Sequence, residues 1–260
     1  MKKAILYLIE FLAIQFIVGV VIQGVYSLIK GGIPADAATP LMIISTIVAN
    51  LVIIILFLGT RWTPVSLNYA KTQPWGVAFW TVLAALGAII PSVWFQELLP
   101  ELPNLVADDL SDMINHPGGY LAIAIAAPVA EEIVFRGAIL RALLNSFKHP
   151  WVAIILSALF FAVGHLNPAQ MPHAFLIGLL LGWMYYRTGS ILPGILFHLV
   201  NNTVAYVLER IYPGSEDLTL KDYFGGDEQA VIMSVIFSLL ILLPSIFQLN
   251  IWMRKGKKSF

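Results

Sequence analysis

The chain contains no cysteine. Disulfides, a thiolate nucleophile and thiolate metal sites are thereby excluded. Charge is scarce: 12% of the 260 residues are Asp, Glu, Lys or Arg, against about a quarter in a soluble domain. The charge also carries no sign. Lys plus Arg and Asp plus Glu number fifteen each, so there is no electrostatic case for nucleic acid as a partner. No HExxH, P-loop or GxSxG motif occurs, which removes the common motif-based enzyme classes. There is no internal repeat, no low-complexity tract, and no leftover stretch long enough for a soluble domain.

What is present is apolar. Hydrophobic residues make up 59% of the chain and the mean hydropathy is +0.83. A membrane-spanning helix needs about 20 mostly apolar residues. Eight segments read that way: 4–29, 39–60, 75–99, 118–146, 150–166, 168–186, 190–208 and 229–252. The expected fold is therefore all-α: one transmembrane domain over 1–260, about eight helices, and a polar catalytic cavity in the bundle core. The first segment follows Met1-Lys2-Lys3, as in a signal peptide. Its apolar run is too long for a cleaved signal, and no small-residue cleavage site follows cleanly, so it reads as a retained anchor.

Lys and Arg in short loops set the orientation. With the N-terminus inside, Lys2, Lys3, Arg61, Lys71, Arg141, Lys148, Arg187, Arg254, Lys255, Lys257 and Lys258 fall on the inner side. Only Lys30, Arg210 and Lys221 fall outside, and Arg136 is left within the membrane. Twelve of the fifteen acids lie in outer segments, mainly 97–112 and 209–228. The expectation is a multi-pass protein of the plasma membrane with both termini cytoplasmic and the lipid bilayer as its surroundings.

Within the fourth segment stands EEIVFRGAIL, residues 131–140. A charge at bilayer depth costs at least about 2.5 kcal/mol on insertion scales, so three in six residues mark a functional site unless they form only an internal packing pair. Glu132 and Arg136 are four apart and share a face of an α-helix. Glu131 points about 100° away at 3.6 residues per turn, with no partner on its own helix. The simplest division is a structural Glu132–Arg136 pair and a Glu131 free to act as a general base.

Two further stretches place polar groups on apolar helices. FFAVGHLNP, 160–168, puts His165 near a helix end, with Phe161 one turn earlier as a packing residue beside the site. LPGILFHLVNN, 192–202, puts His198 and Asn202 on one face, which suggests a polar partner opposite; an interhelical hydrogen-bond clamp would account for it equally. Other features read as structural. His116 and His149 fall in loops, and His173 reads as packing or interfacial. Gly178 and Gly182 form a GxxxG for close helix packing. Asn167-Pro168 reads as an N-cap followed by proline. Glu10 faces a polar interior without an assigned task.

EEIVFR, FAVGH and HLVNN fit the patterns EExxxR, FxxxH and HxxxN, in that order, on successive apolar segments. Together with GLLLGWMYYRTGSILPGILFHLVNN they resemble the CPBP family, the CAAX-processing and bacteriocin-processing intramembrane proteases. The resemblance covers residues 118–205, a motif-bearing catalytic core, and no motif position is substituted. It implies an intramembrane endopeptidase acting on a membrane-associated protein or peptide. It also implies Glu131 as the catalytic carboxylate supported by Glu132 and Arg136, His165 as its partner in activating water, and His198 and Asn202 as oxyanion stabilisers.

The residue chemistry agrees. Without a Ser or Cys nucleophile, a peptide hydrolase needs activated water, and Glu131 with His165 can take its proton. His198 and Asn202 can supply hydrogen bonds to the developing oxyanion. Zinc is the alternative, with Glu131, His165 and His198 as ligands. A metal-free glutamate mechanism is preferred, because the donors already suffice for the charge. Two other classes are a membrane scaffold or bacteriocin-immunity protein that cleaves nothing, and a proton-coupled transporter using Glu131 as relay. The intact motif set argues against both, and a transporter would more often show repeated halves with broken helices.

Overall fold

The computed structural model describes residues 1–65, 68–71, 73–212, 214 and 218–253. Arg254, Lys255, Lys257 and Lys258 of the inner cations, and Glu216 and Asp217 of the outer acids, lie outside the described residues. Among those described, every regular element is a helix. In chain order they are α1 (Lys2–Lys30), α2 (Ala35–Gly59), α3 (Asn68–Lys71), α4 (Trp75–Glu97), α5 (Ala107–Asn115), α6 (residues 121–144), α7 (Pro150–Gly164), α8 (Met171–Thr188), α9 (Leu192–Ile211), α10 (Leu220–Tyr223) and α11 (Glu228–Trp252). Each of the eight apolar segments has its helix.

Four of them, α1, α2, α4 and α11, are long and apolar enough to cross a membrane, which makes this an integral membrane protein. The span count of eight goes further than that. Helix α7 is apolar but has only 15 residues. Helices α6 and α9 carry the charged and amide side chains of the motifs, and α8 carries His173 and Arg187, which lower their apolarity. The exposed apolar residues of α1 and α11, such as Phe16, Leu28, Leu240 and Phe247, are what a lipid-facing surface requires.

Proline opens helices and glycine closes them here, as their backbones dictate. Pro150, Pro172 and Pro193 sit in first turns. Gly31 and Gly189 end α1 and α8 at φ 76° and 66°. The anticipated GxxxG contact is present: a Cβ on Gly178 or Gly182 would meet Ala158 at 3.0 Å or Ile154 at 3.1 Å, so α8 lies tight on α7. Asn167 takes the expected N-cap position before Pro168, in extended conformation, but its side chain makes no cap bond. It is fully buried, accepts from the Leu105 amide at 2.9 Å and donates to Asn104 at 2.9 Å. It anchors the 104–105 loop, because a buried amide seeks two partners and the short turn at Pro168–Gln170 offers none.

Helix α6 is the axis of the bundle and touches α1, α2, α7, α8 and α9. Its winding is not uniform. Leu121–Ala126 and Glu132–Leu140 are π-helical, separated by an α-helical turn at Ala127–Glu131. π-Helical turns are rare and are frequent at functional sites. All nine residues of the second stretch are buried. Two carbonyls in it accept side-chain hydroxyls from neighbouring segments: Thr63 donates to Ile133 at 2.6 Å and Ser157 to Phe135 at 3.1 Å. Gly137 makes the first possible, since a Cβ there would overlap the Thr63 side chain.

Gly137→Ala should therefore lower the thermal unfolding midpoint in detergent, by the equivalent of about 1–3 kcal/mol for overpacking. Gly24→Ala, whose new methyl meets nothing within 4 Å, should leave the midpoint unchanged or raise it. Similar midpoints for the two variants would contradict the packing argument.

Candidate active site

The two glutamates enter the bundle from one helix and part at once. Glu132 is fully buried. Its Oε1 accepts from Arg136 Nη1 at 2.8 Å, the expected pair. Arg136 is 1% exposed. It also reaches the Gly178 carbonyl at 3.5 Å and lies 4.2 Å from the centre of the Phe161 ring. Three partners thus share the cost of one buried guanidinium. Oε2 of Glu132 faces Gly194 of α9, where a Cβ would overlap it. Glu131 is different: its side chain keeps 16% exposure, the only carboxylate of the pair within reach of water.

His198 stands between the two. Its Nδ1 is 3.3 Å from Glu132 Oε1 and its Nε2 is 3.7 Å from Glu131 Oε2. This placement differs from a histidine aimed solely at substrate. Glu132 Oε1 already accepts from Arg136, and a His198 Nδ1–H donating to the same oxygen fits the contact. Nε2 is the nitrogen left to face Glu131.

Phe161 is the wall that holds the histidines apart. It packs edge-on against His165 at 4.8 Å and His198 at 5.6 Å between ring centres. His165 follows the last residue of α7, and its Nδ1 donates to the Phe161 carbonyl at 2.8 Å. Nε2 is thereby its free nitrogen. The next residue, Leu166, takes the left-handed φ of 51°, which costs a bulky residue about 1–2 kcal/mol. That turn sends Asn167 inward while His165 stays beside Phe161.

Asn202 lies one helical turn beyond His198, yet its amide is engaged elsewhere: Nδ2 donates to the Ile123 carbonyl of α6 at 3.1 Å. Two residues not singled out from the sequence join it. Asn201 Nδ2 is 3.4 Å from Asn202 Oδ1 and 3.3 Å from His173 Nε2. His173, expected as packing or interfacial, belongs to this polar group. The signal was available, since Asn201 falls three residues after His198 and so shares its face.

A cavity lined by Pro64, Gly137, Tyr185 and Ser190, among others, lies at the ends of α6 and α8 and includes none of the motif glutamates or histidines. A polar cavity around Glu131 stays an expectation. Among the described residues no three His, Cys, Asp or Glu side chains are grouped to hold a metal ion. The rings of His165 and His198 lie on Phe161, and both nitrogens of His198 already face carboxylates.

Comparison with known families matches residues 115–204 to the model of the type II CAAX prenyl endopeptidase Rce1-like family. The motif-bearing core is therefore similar to that family over about a third of the chain. No curated protein and no solved structure matches the chain. The Rce1-like match runs from the end of α5 to two residues past Asn202, and so covers every motif position described above. It coincides with the resemblance read over 118–205. Helices α1, α2, α4 and α11 lie outside it.

The Rce1-like core gives its two glutamates separable jobs. Arg136→Ala leaves a buried carboxylate uncompensated, at a cost of about 3–5 kcal/mol, and should sharply lower the yield of folded protein. Glu131→Gln removes a partly exposed charge and should leave yield near wild type. Equal loss of protein in both variants would sink this division.

Proposed function

We propose that the chain is an intramembrane endopeptidase that hydrolyses a peptide bond of a membrane-associated protein or peptide, in the manner of CAAX-processing proteases. The observation that carries the reading is the family match across all three motifs, with Glu131, Glu132, Arg136, His165 and His198 gathered around Phe161 and His198.

In this reading Glu131 is the general base. It is the carboxylate with access to water, and one within hydrogen-bond reach can take a proton from the attacking water. His165 Nε2, left free by the bond from Nδ1, shares that proton. Attack on the scissile carbonyl makes a tetrahedral oxyanion, and two donors face it. One is the amide hydrogen of Asn202 not spent on Ile123. The other is His198 Nε2–H, which requires His198 to carry both protons. Glu131, Glu132, Arg136 and His198 then sum to zero charge, the arrangement a low-dielectric interior favours. Collapse of the intermediate breaks the C–N bond, and the protonated Glu131 returns its proton to the leaving amine. Both termini are placed in the cytoplasm and the enzyme in the plasma membrane, in keeping with the inner bias of Lys and Arg.

A farnesylated peptide ending in a CAAX sequence, presented in detergent to the purified protein, tests the reading. Wild type should release the C-terminal tripeptide. Glu131→Gln should fold and release none. His198→Gln should keep partial activity through its own N–H, at a loss of about 10²–10³ in rate. Cleavage by Glu131→Gln at the wild-type rate would refute the assignment.

Metal dependence is tested on the same assay. Exhaustive chelation should leave the rate unchanged, and elemental analysis should find no stoichiometric zinc. One tightly bound zinc per chain, with activity lost on removal and restored on return, would replace the glutamate mechanism by a metalloprotease one.

A further inference from the structure

The π-helical turn at Leu121–Ala126 runs into a proline. The Ala127 N–H bonds the Ala122 carbonyl, five residues back. In that register the Ile123 carbonyl would take the N–H of residue 128. Residue 128 is Pro128, which has none. An unpaired carbonyl inside a bundle costs about as much as a lost hydrogen bond. The atom that meets it is Asn202 Nδ2, at 3.1 Å.

We infer that Asn202 is a positioning residue, a substitute for the N–H that Pro128 lacks, and that the two form a matched pair docking α9 on α6 just before Glu131. The inference is independent of the oxyanion role given to Asn202 above, which uses its other amide hydrogen; it deepens the proteolytic reading by saying how His198 and Glu131 are kept in register. Pro128 lies three residues before Glu131, and Asn202 four after His198. The clamp therefore joins the two helices that supply the 3.7 Å contact between those side chains.

The same missing N–H orders the donors beyond it. A carbonyl only accepts, so Asn202 turns its nitrogen to Ile123 and its Oδ1 to Asn201. Asn201 must then present Nδ2, and that nitrogen also faces His173 Nε2. His173 accepts there and carries its proton on Nδ1. One proline thus fixes the orientation of two amides and the tautomer of a histidine across α6, α9 and α8.

The test is a double-mutant cycle on the full chain purified in detergent: wild type, Pro128→Ala, Asn202→Ala and the double variant. Pro128→Ala restores a backbone N–H at the position where Asn202 substitutes for one. Asn202→Ala should lower the unfolding midpoint, and in the Pro128→Ala background that drop should shrink by at least half. If Asn202→Ala yields no folded protein, folded yield takes the place of the midpoint, and recovery of yield in the double variant carries the same meaning. An equal drop in both backgrounds, or no recovery of yield while Pro128→Ala alone folds, overturns the pairing. Cleavage of the farnesylated peptide by the double variant should stay down by about 10²-fold or more, because the oxyanion donor is still missing. Recovery of full cleavage with stability would support the clamp and remove Asn202 from the oxyanion site. The stability arm needs no substrate, so it stands or falls apart from the proteolytic reading.

Discussion

The structure is organised around a buried ion pair. Glu132 and Arg136 are together almost wholly excluded from solvent, and a pair of that kind contributes little net stability while being expensive to break. Its effect is to restrict which neighbours can exist. The guanidinium needs a carbonyl and an aromatic face, which α8 and α7 supply through Gly178 and Phe161. The carboxylate needs space and a second donor, which α9 supplies through Gly194 and His198. Three helices are thus held to α6 by requirements of one pair, and two of them, α7 and α9, bring the remaining motif residues to it.

The winding of α6 is the second constraint. A π-helical stretch shifts its hydrogen bonds to a five-residue step, and carbonyls along it accept side chains from neighbouring elements. Thr63, Ser157 and Asn202 serve three carbonyls of α6, from α2's trailing loop, α7 and α9 respectively. Each such bond ties a separate element to the axis. Several polar side chains that look isolated in an apolar sequence are therefore partners of backbone groups.

Much of this was legible in the sequence, and the exceptions have physical reasons. The eight apolar segments each became a helix, because length and apolarity survive any detail of packing. The Glu132–Arg136 pair followed from a spacing that both helix types tolerate. The π winding did not follow, since hydrophobic pattern assumes 3.6 residues per turn and residues buried on every side show no period. Asn167 is the cap that Asn before Pro suggests, but its side chain serves the 104–105 loop, whose approach from the distant chain no local pattern shows. His173 and Asn201 were passed over because a histidine and an amide beside a motif carry no signal until the helices are docked. The span count of eight rests on segments whose motif side chains dilute the very apolarity by which spans are recognised.

The dipeptide Glu131-Glu132 places identical carboxylates in unlike surroundings. One is dry and bound on one oxygen to Arg136 and His198; the other keeps 16% exposure and faces the far nitrogen of that histidine. In the proposed reading hydrolysis consumes water, so in a bilayer a base is useful only where water reaches it. A site with two dry glutamates could not exchange its water, and one with two wet glutamates would have no fixed charge to hold His198. The pairing of a dry, arginine-bound carboxylate with a hydrated one resolves both requirements on adjacent residues. It also explains why the histidine comes from another helix: α9 must approach closely enough for one imidazole to touch both, and Gly194 is what allows that approach.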